Sequence, residues 1–280
     1  MRYIKRNMQN KDKNRLRGHT QKRKPTANVK NTIKEIRHNP LFPLISYLTE
    51  KDILFVMIQD EFTKHIQAYE FYFRSVERFL KNMSISRRWE NNCKYVLKYR
   101  DKYSKQQKVV SEKHKKVKFY LELDFFNCII YARILMDRTI SLARYFIDEK
   151  NLPSFSSFND HKKYFLKQKN IYGKHEDYAK YIREKTEWFD VPLKVIRDKF
   201  LVHAGPKHMQ IFGWADTFNL DLIVQPISQK QDSQNEIIII NIVNLAGEIK
   251  IFLTWFAQYG LKYLKEKVAN QSLQRTVTCA

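Results

Sequence analysis

Glycine and proline are scarce in this chain, with 6 and 7 residues among 280. Few residues are therefore available to break a helix or shape a tight turn, which argues for long uninterrupted helices. Cysteine is scarcer still. Cys93, Cys128 and Cys279 are far apart and odd in number, so they supply neither a disulfide framework nor metal-ligand spacing. A reducing compartment follows, and the expected location is cytoplasmic. No apolar run approaches the ~20 residues that cross a bilayer, and the N-terminus has no apolar signal core, so no membrane association is expected. No group of His, Cys, Asp or Glu has metal spacing, and neither a metal nor another cofactor is expected. Acidic residues are outnumbered, 29 against 52 Lys and Arg, which leaves a net charge of +23. Such a surplus attracts polyanions, nucleic acid before anionic membrane.

What the chain does contain is apolar and aromatic residues, 43% and 14% of the total, enough for a large core. Residues 1–38 stand apart as a basic arm carrying Arg15, Arg17, Lys22, Arg23 and Lys24 with almost no large apolar groups. Such a segment cannot offset its ordering entropy and is expected to be disordered, an electrostatic tether for RNA or DNA. Residues 39–268 read as a single helical domain, and 269–280 as a tail. Thr49 and Asp52 suggest a capping box ahead of one long amphipathic helix that ends near Lys81, with Ser84 and Ser86 as a break. A weaker helix is expected from about Arg88 to Tyr103. A lysine-rich patch follows, including Lys113, Lys115 and Lys116, which is either a solvated face or turn, or a nucleic-acid surface with Tyr99 and Tyr103 interleaved.

Residues 117–149 form the strongest helical pattern, apolar almost all round, and a helix of that kind belongs at the centre of a bundle. Within it Arg133 and Asp137 are spaced to pair across one turn, and Asp137 is placed to take a second cation from another helix, Arg197 being a candidate. Asn159 is a candidate cap for a helix over 160–169, and Glu176 to Phe189 reads as another. Two segments, 218–225 and 236–243, alternate or are β-branched and predict a β-hairpin near residues 217–243. Helix returns from Leu245 to Val268. The fold class is thus an all-α bundle with an appended hairpin.

Val191 to Pro206 carries the chemistry. Pro192 suits a first helical turn, and Gly205 with Pro206 stops the helix. Arg197 and His203 are the unexpected polar groups in an apolar setting. At 100° per residue each lies about 60° to one side of Phe200, so both can face one groove, while Asp198 falls on the far side. A histidine can take the proton from a ribose 2′-hydroxyl or return one to a leaving oxygen. A guanidinium can hold the phosphate and stabilise its developing charge. That is metal-independent RNA cleavage by the RNA's own 2′-oxygen. One Arg and one His are few for such a site, and a two-fold homodimer would double the set. The rival reading is structural, with Arg197 paired to Asp137 and His203 capping its own helix.

A helical bundle with Arg197-Asp198-Lys-Phe-Leu-Val-His203 near the end of a late helix resembles the HEPN superfamily (higher eukaryotes and prokaryotes nucleotide-binding). Its motif is an Arg, often followed by Asn, Asp or His, then a His after four to six intervening residues. Arg197, Asp198 and His203 match it position by position, whereas Arg133 and Asp137 rest on the pairing argument alone. The resemblance implies a dimeric endoribonuclease with a toxin–antitoxin or phage-defence role, in which an antitoxin would be a partner. It also leaves two alternatives, a non-catalytic RNA-binding or assembly module and a partner of a nucleotidyltransferase.

Overall fold

Two long helices dominate the structure. The computed structural model describes residue 34 and residues 37–50, 55–147, 153–167, 173–190, 192–194, 196, 209–216, 221–226 and 238–278. The described part is predominantly helical, with α1 (Phe42–Glu50), α2 (Phe55–Lys98), α3 (Arg100–Ser141), α4 (Phe158–Leu166), α5 (Glu176–Lys185) and α6 (Ile242–Thr278). Among the described residues no helix is long and apolar enough to cross a membrane.

Helices α2 and α3 hold 44 and 42 residues, roughly 65 Å each at 1.5 Å per residue. They run antiparallel. The contacts His65–Thr139, Phe71–Tyr131, Phe79–Phe125, Arg78–Asp124, Lys113–Trp89 and Cys93–Val110 each join residue n to a residue close to 203 − n. The register is therefore constant from base to tip. The expected break at Ser84 and Ser86 does not occur. Ser86 is buried in the seam between the helices, where a small side chain lets the backbones approach, and the chain reverses at Tyr99. The lysine-rich patch is consequently the first half of α3 and not a turn.

The core half of α3 repeats at helical spacing, with Leu121, Phe125, Cys128, Ile129, Ala132, Leu135, Met136 and Ile140 buried. It is not covered on all sides as expected. Leu123, Ile130 and Ile134 remain exposed, because α2 packs on one flank and the other elements on a second. Past Ser141 the helix tightens into a 3₁₀ turn, Leu142–Tyr145. The remaining core joins aliphatic residues such as Leu44, Ile182 and Leu253 to a cluster of aromatic rings. Phe158, Phe165, Tyr178, Phe189, Phe252 and Phe256 are fully buried, and Tyr181 stacks on Trp255 with ring centroids 3.6 Å apart. At about 2 kcal/mol for each buried aromatic side chain, this cluster is a main source of stability.

Several ends differ from expectation. Thr49 lies inside α1, where its Oγ1 donates to the Ile45 carbonyl at 2.9 Å, so it does not cap the next helix. Ser157, not Asn159, caps α4 by accepting from the Asp160 N–H at 3.2 Å. Helix α6 continues to Thr278, through most of the expected tail. The expected hairpin is two strands of a three-stranded antiparallel sheet, ordered β1 (Met209–Asp216), β2 (Asp221–Pro226), β3 (Ile238–Asn241). Strand β2 pairs Asp221 with Asn241 and Val224 with Ile238. Strand β3 stops short of residue 243 because Asn241 Oδ1 accepts from the Asn244 N–H at 3.0 Å and starts α6.

Candidate functional site

Arg133 and Asp137 form the pair that their spacing predicts, with Arg133 Nε 3.2 Å from Asp137 Oδ2. The arginine side chain is only 5% exposed, so a cation sits inside the fold. Two neighbours compensate it, and a third holds the carboxylate in place. Asp137 supplies the charge, the Phe189 ring lies under the guanidinium at 4.6 Å, and the Phe158 backbone N–H donates to Asp137 Oδ1 at 2.7 Å. The last contact orients the carboxylate from the N-terminal turn of α4, the helix end that favours an anion. Arg133 Nη1 is buried with no hydrogen-bond acceptor, so the guanidinium retains unused donor capacity.

A second buried cation stands on α4. Lys162 Nζ donates to the Thr186 carbonyl at 2.9 Å and to Asp190 Oδ2 at 2.7 Å. Phe189 and Asp190 are neighbours in sequence, so the segment that leaves α5 meets both cations in succession. It continues into a wide helical turn, in which Leu193 and Ile196 are fully buried. Sequence reasoning missed the Lys162–Asp190 pair. The signal available was a lysine opposite no acidic neighbour on an amphipathic helix, together with an Asp just before the Val191-Pro192 start.

Arg197, Asp198 and His203 lie outside the described residues, as do Arg15, Arg17, Lys22, Arg23 and Lys24. Of the other candidates, Lys113, Lys115 and Lys116 are exposed on the first half of α3, and the Lys113 ammonium lies 5.4 Å from the Trp89 ring centroid. They share a helix with Arg133 but not a site. Twenty residues separate Lys113 from Arg133, or about 30 Å along the axis. Only an extended ligand could touch both.

The described histidines divide clearly. His65, His161 and His175 are fully buried. Each has a hydroxyl partner: Thr139 at 3.1 Å, Tyr178 at 2.8 Å and Tyr259 at 2.9 Å. Burial pushes His65 and His161 down to about 3, which keeps both neutral. They are packing residues, closed to an incoming substrate. Two described histidines reach solvent: His114, half-buried in the α2–α3 seam, and His38, exposed ahead of α1. His38 helps to line a cleft of about 720 Å³ with Lys34, Pro40, Lys250, Thr254 and Gln258. That cleft shares no residue with the Arg133–Asp137 pair. Among the described residues no three His, Cys, Asp or Glu side chains gather as a metal-holding group.

No protein-family model, curated protein or solved structure matches this chain.

Proposed function

We propose that the protein is a metal-independent endoribonuclease of HEPN type, with a role as a toxin or in phage defence. His203 accepts the proton of a ribose 2′-hydroxyl. The 2′-oxygen attacks the adjacent phosphorus, the bond to the 5′-oxygen breaks, and the leaving oxygen takes up a proton. The products are a 2′,3′-cyclic phosphate and a free 5′-hydroxyl. Arg197 holds the phosphate and offsets its developing charge. Asp198 occupies the position that often follows the arginine in the HEPN motif. Two copies of the chain would supply two Arg197–His203 sets across a two-fold axis.

The observation that carries this reading is the buried Arg133–Asp137 pair, packed on Phe189 eight residues before Arg197. Arg133 Nη1, a buried donor with no acceptor beside the segment that leads to Arg197, supports a polar site there. Leu193 and Ile196 tie that segment to the core up to the residue before Arg197. The buried state of three other histidines also narrows the choice of an acid–base group. A non-catalytic RNA-binding module is the second reading, and the exposed lysines of α3 favour it because they need no chemistry.

Purified protein incubated with total RNA in EDTA separates the two. Cleavage that Arg197→Ala and His203→Ala each abolish, with folding intact by circular dichroism, is the expected result. Cleavage that survives both substitutions, or that requires a divalent metal, overturns the site. Binding without cleavage selects the second reading.

A further inference from the structure

Beyond Met83 on α2 and Leu121 on α3 the main hydrophobic core ends, yet the helix pair continues. The segment from Ser84 to Lys98 adds 15 residues, about 22 Å of projecting arm. From Lys105 to Tyr120, α3 turns Gln107, Val110, Ser111, His114, Val117 and Lys118 toward α2, all half-buried at helical spacing. Every other residue in this stretch is exposed. That outward face carries Lys105, Lys108, Lys113, Lys115 and Lys116 against a single acid, Glu112.

Lys113 rests on the Trp89 ring and Glu112 stands four residues before Lys116, but the face keeps a surplus of four positive charges. Lys105 with Lys108, and Lys113 with Lys116, are like charges three apart, which repel on a helix surface. A polyanion lying along the face relieves that repulsion. At its base stand Phe119 and Tyr120, 57% and 43% exposed, edge to face with centroids 6.0 Å apart. Exposed rings beside a lysine track fit unpaired bases, which stack on aromatic side chains while phosphates follow the cations. A bilayer would need an apolar face to insert, and Val109 is the only apolar residue exposed between Lys105 and Lys116.

We propose that the outward face of α3 from Lys105 to Tyr120 is a binding site for single-stranded RNA, with the lysines on phosphates and Phe119 and Tyr120 stacked on bases. The proposal rests on the RNA reading above and names the part of the substrate that the arm holds. It does not depend on cleavage.

The test uses the full chain and a labelled 2′-O-methyl oligouridine, which 2′-oxygen attack cannot cut, with fluorescence anisotropy over a salt series. The comparison proteins carry K105Q/K108Q/K115Q/K116Q or F119A/Y120A, each shown to be folded by circular dichroism. For single strands the log–log salt slope is about −0.7 per phosphate neutralised, so the lysine variant should lose roughly 3 from that slope. The aromatic variant should bind about fivefold or more weakly with its slope unchanged, and an RNA duplex should not feel that loss. Wild-type slope and affinity in the lysine variant would overturn the site. An aromatic variant that binds like wild type, or duplex bound as tightly as single strand, would overturn the single-strand assignment. So would capture by phosphatidylserine vesicles that the lysine changes abolish while RNA binding persists. Failure of cleavage with arm-dependent binding intact would sink the ribonuclease reading alone, and the reverse pattern would sink only the arm.

Discussion

Replacing Asp137 by alanine probes the buried charge beside the motif segment. The carboxylate accepts from Arg133 Nε through Oδ2 and from the Phe158 N–H through Oδ1. Arg133 is 5% exposed and Asp137 26%, so the cation is the more enclosed partner. Breaking a fully buried pair costs about 3–5 kcal/mol, because the surviving charge cannot return to water. Two features lower that figure here. Partial exposure of Asp137 screens the attraction, and the Phe189 ring continues to hold the guanidinium, which leaves a charge term of about 2 kcal/mol. The orphaned Phe158 N–H adds about 1 kcal/mol. Asp137→Ala should therefore lose about 3 kcal/mol and Asp137→Asn about 2, since asparagine keeps an oxygen for Phe158. Arg133→Met removes the charge that Asp137 neutralises. The double variant R133M/D137A should then cost less than the sum of its parts, with a coupling of about 2 kcal/mol. Urea unfolding followed by far-UV circular dichroism measures the wild type and the four variants. Additivity within about 0.5 kcal/mol would show that the pair is not an energetic unit and would refute the reasoning.

Two further outcomes follow from packing and titration. A Cβ on Gly260 would sit 3.0 Å from the Phe146 ring and 3.1 Å from Leu44, whereas one on Gly247 would meet nothing within 4 Å. Gly247→Ala should raise stability by up to about 1 kcal/mol through helix propensity, and Gly260→Ala should lower it by about 1–2 kcal/mol; thermal unfolding that ranks them the other way would refute the packing of α6 on α1. The two buried neutral histidines make stability pH-dependent. Each takes up a proton near 6.5 when unfolded but only near 3 when folded, so stability is full above that range and falls as pH drops toward 3. Denaturant titrations at stepped pH should show a loss approaching about 2.7 kcal/mol per pH unit below pH 6, where carboxylates are still ionised. A flat profile between pH 6.5 and 5 would contradict the buried assignment.

The sequence revealed elements better than it revealed their ends. Leu121, Phe125, Ala132 and Leu135 repeat with the helical period, and each is buried in α3 as that period requires. Serine often caps a helix, but the role of Ser84 and Ser86 here depends on α2 meeting α3 across the seam, which no local window contains. Strand β1 was invisible because Met-Gln-Ile-Phe-Gly-Trp-Ala-Asp neither alternates nor avoids glycine. It is a strand through its pairing with β2, which is interrupted near Gly213 and near Trp214. Arg133 and Asp137 were legible because four residues of helix fix their distance. The Phe158 amide and the Phe189 ring that complete the pair come from 21 and 56 residues along the chain from Asp137 and Arg133 respectively, and only the fold joins them.

The constant register of α2 and α3 bears on how the pair assembles. Near the tip, Cys93 and Val110 are 17 residues apart in the chain; at the base, His65 and Thr139 are 74 apart. Closing the longer loop costs about 1.3 kcal/mol more in chain entropy. Yet the tip buries little, with Val96 its main apolar contact, while the base lies against the whole core. Ease of closure and strength of grip thus run in opposite directions along one hairpin. Amides of the arm should open and exchange at free energies far below global unfolding while those at the base wait for it. Such a pair zips from the end that holds least and is locked at the end that holds most.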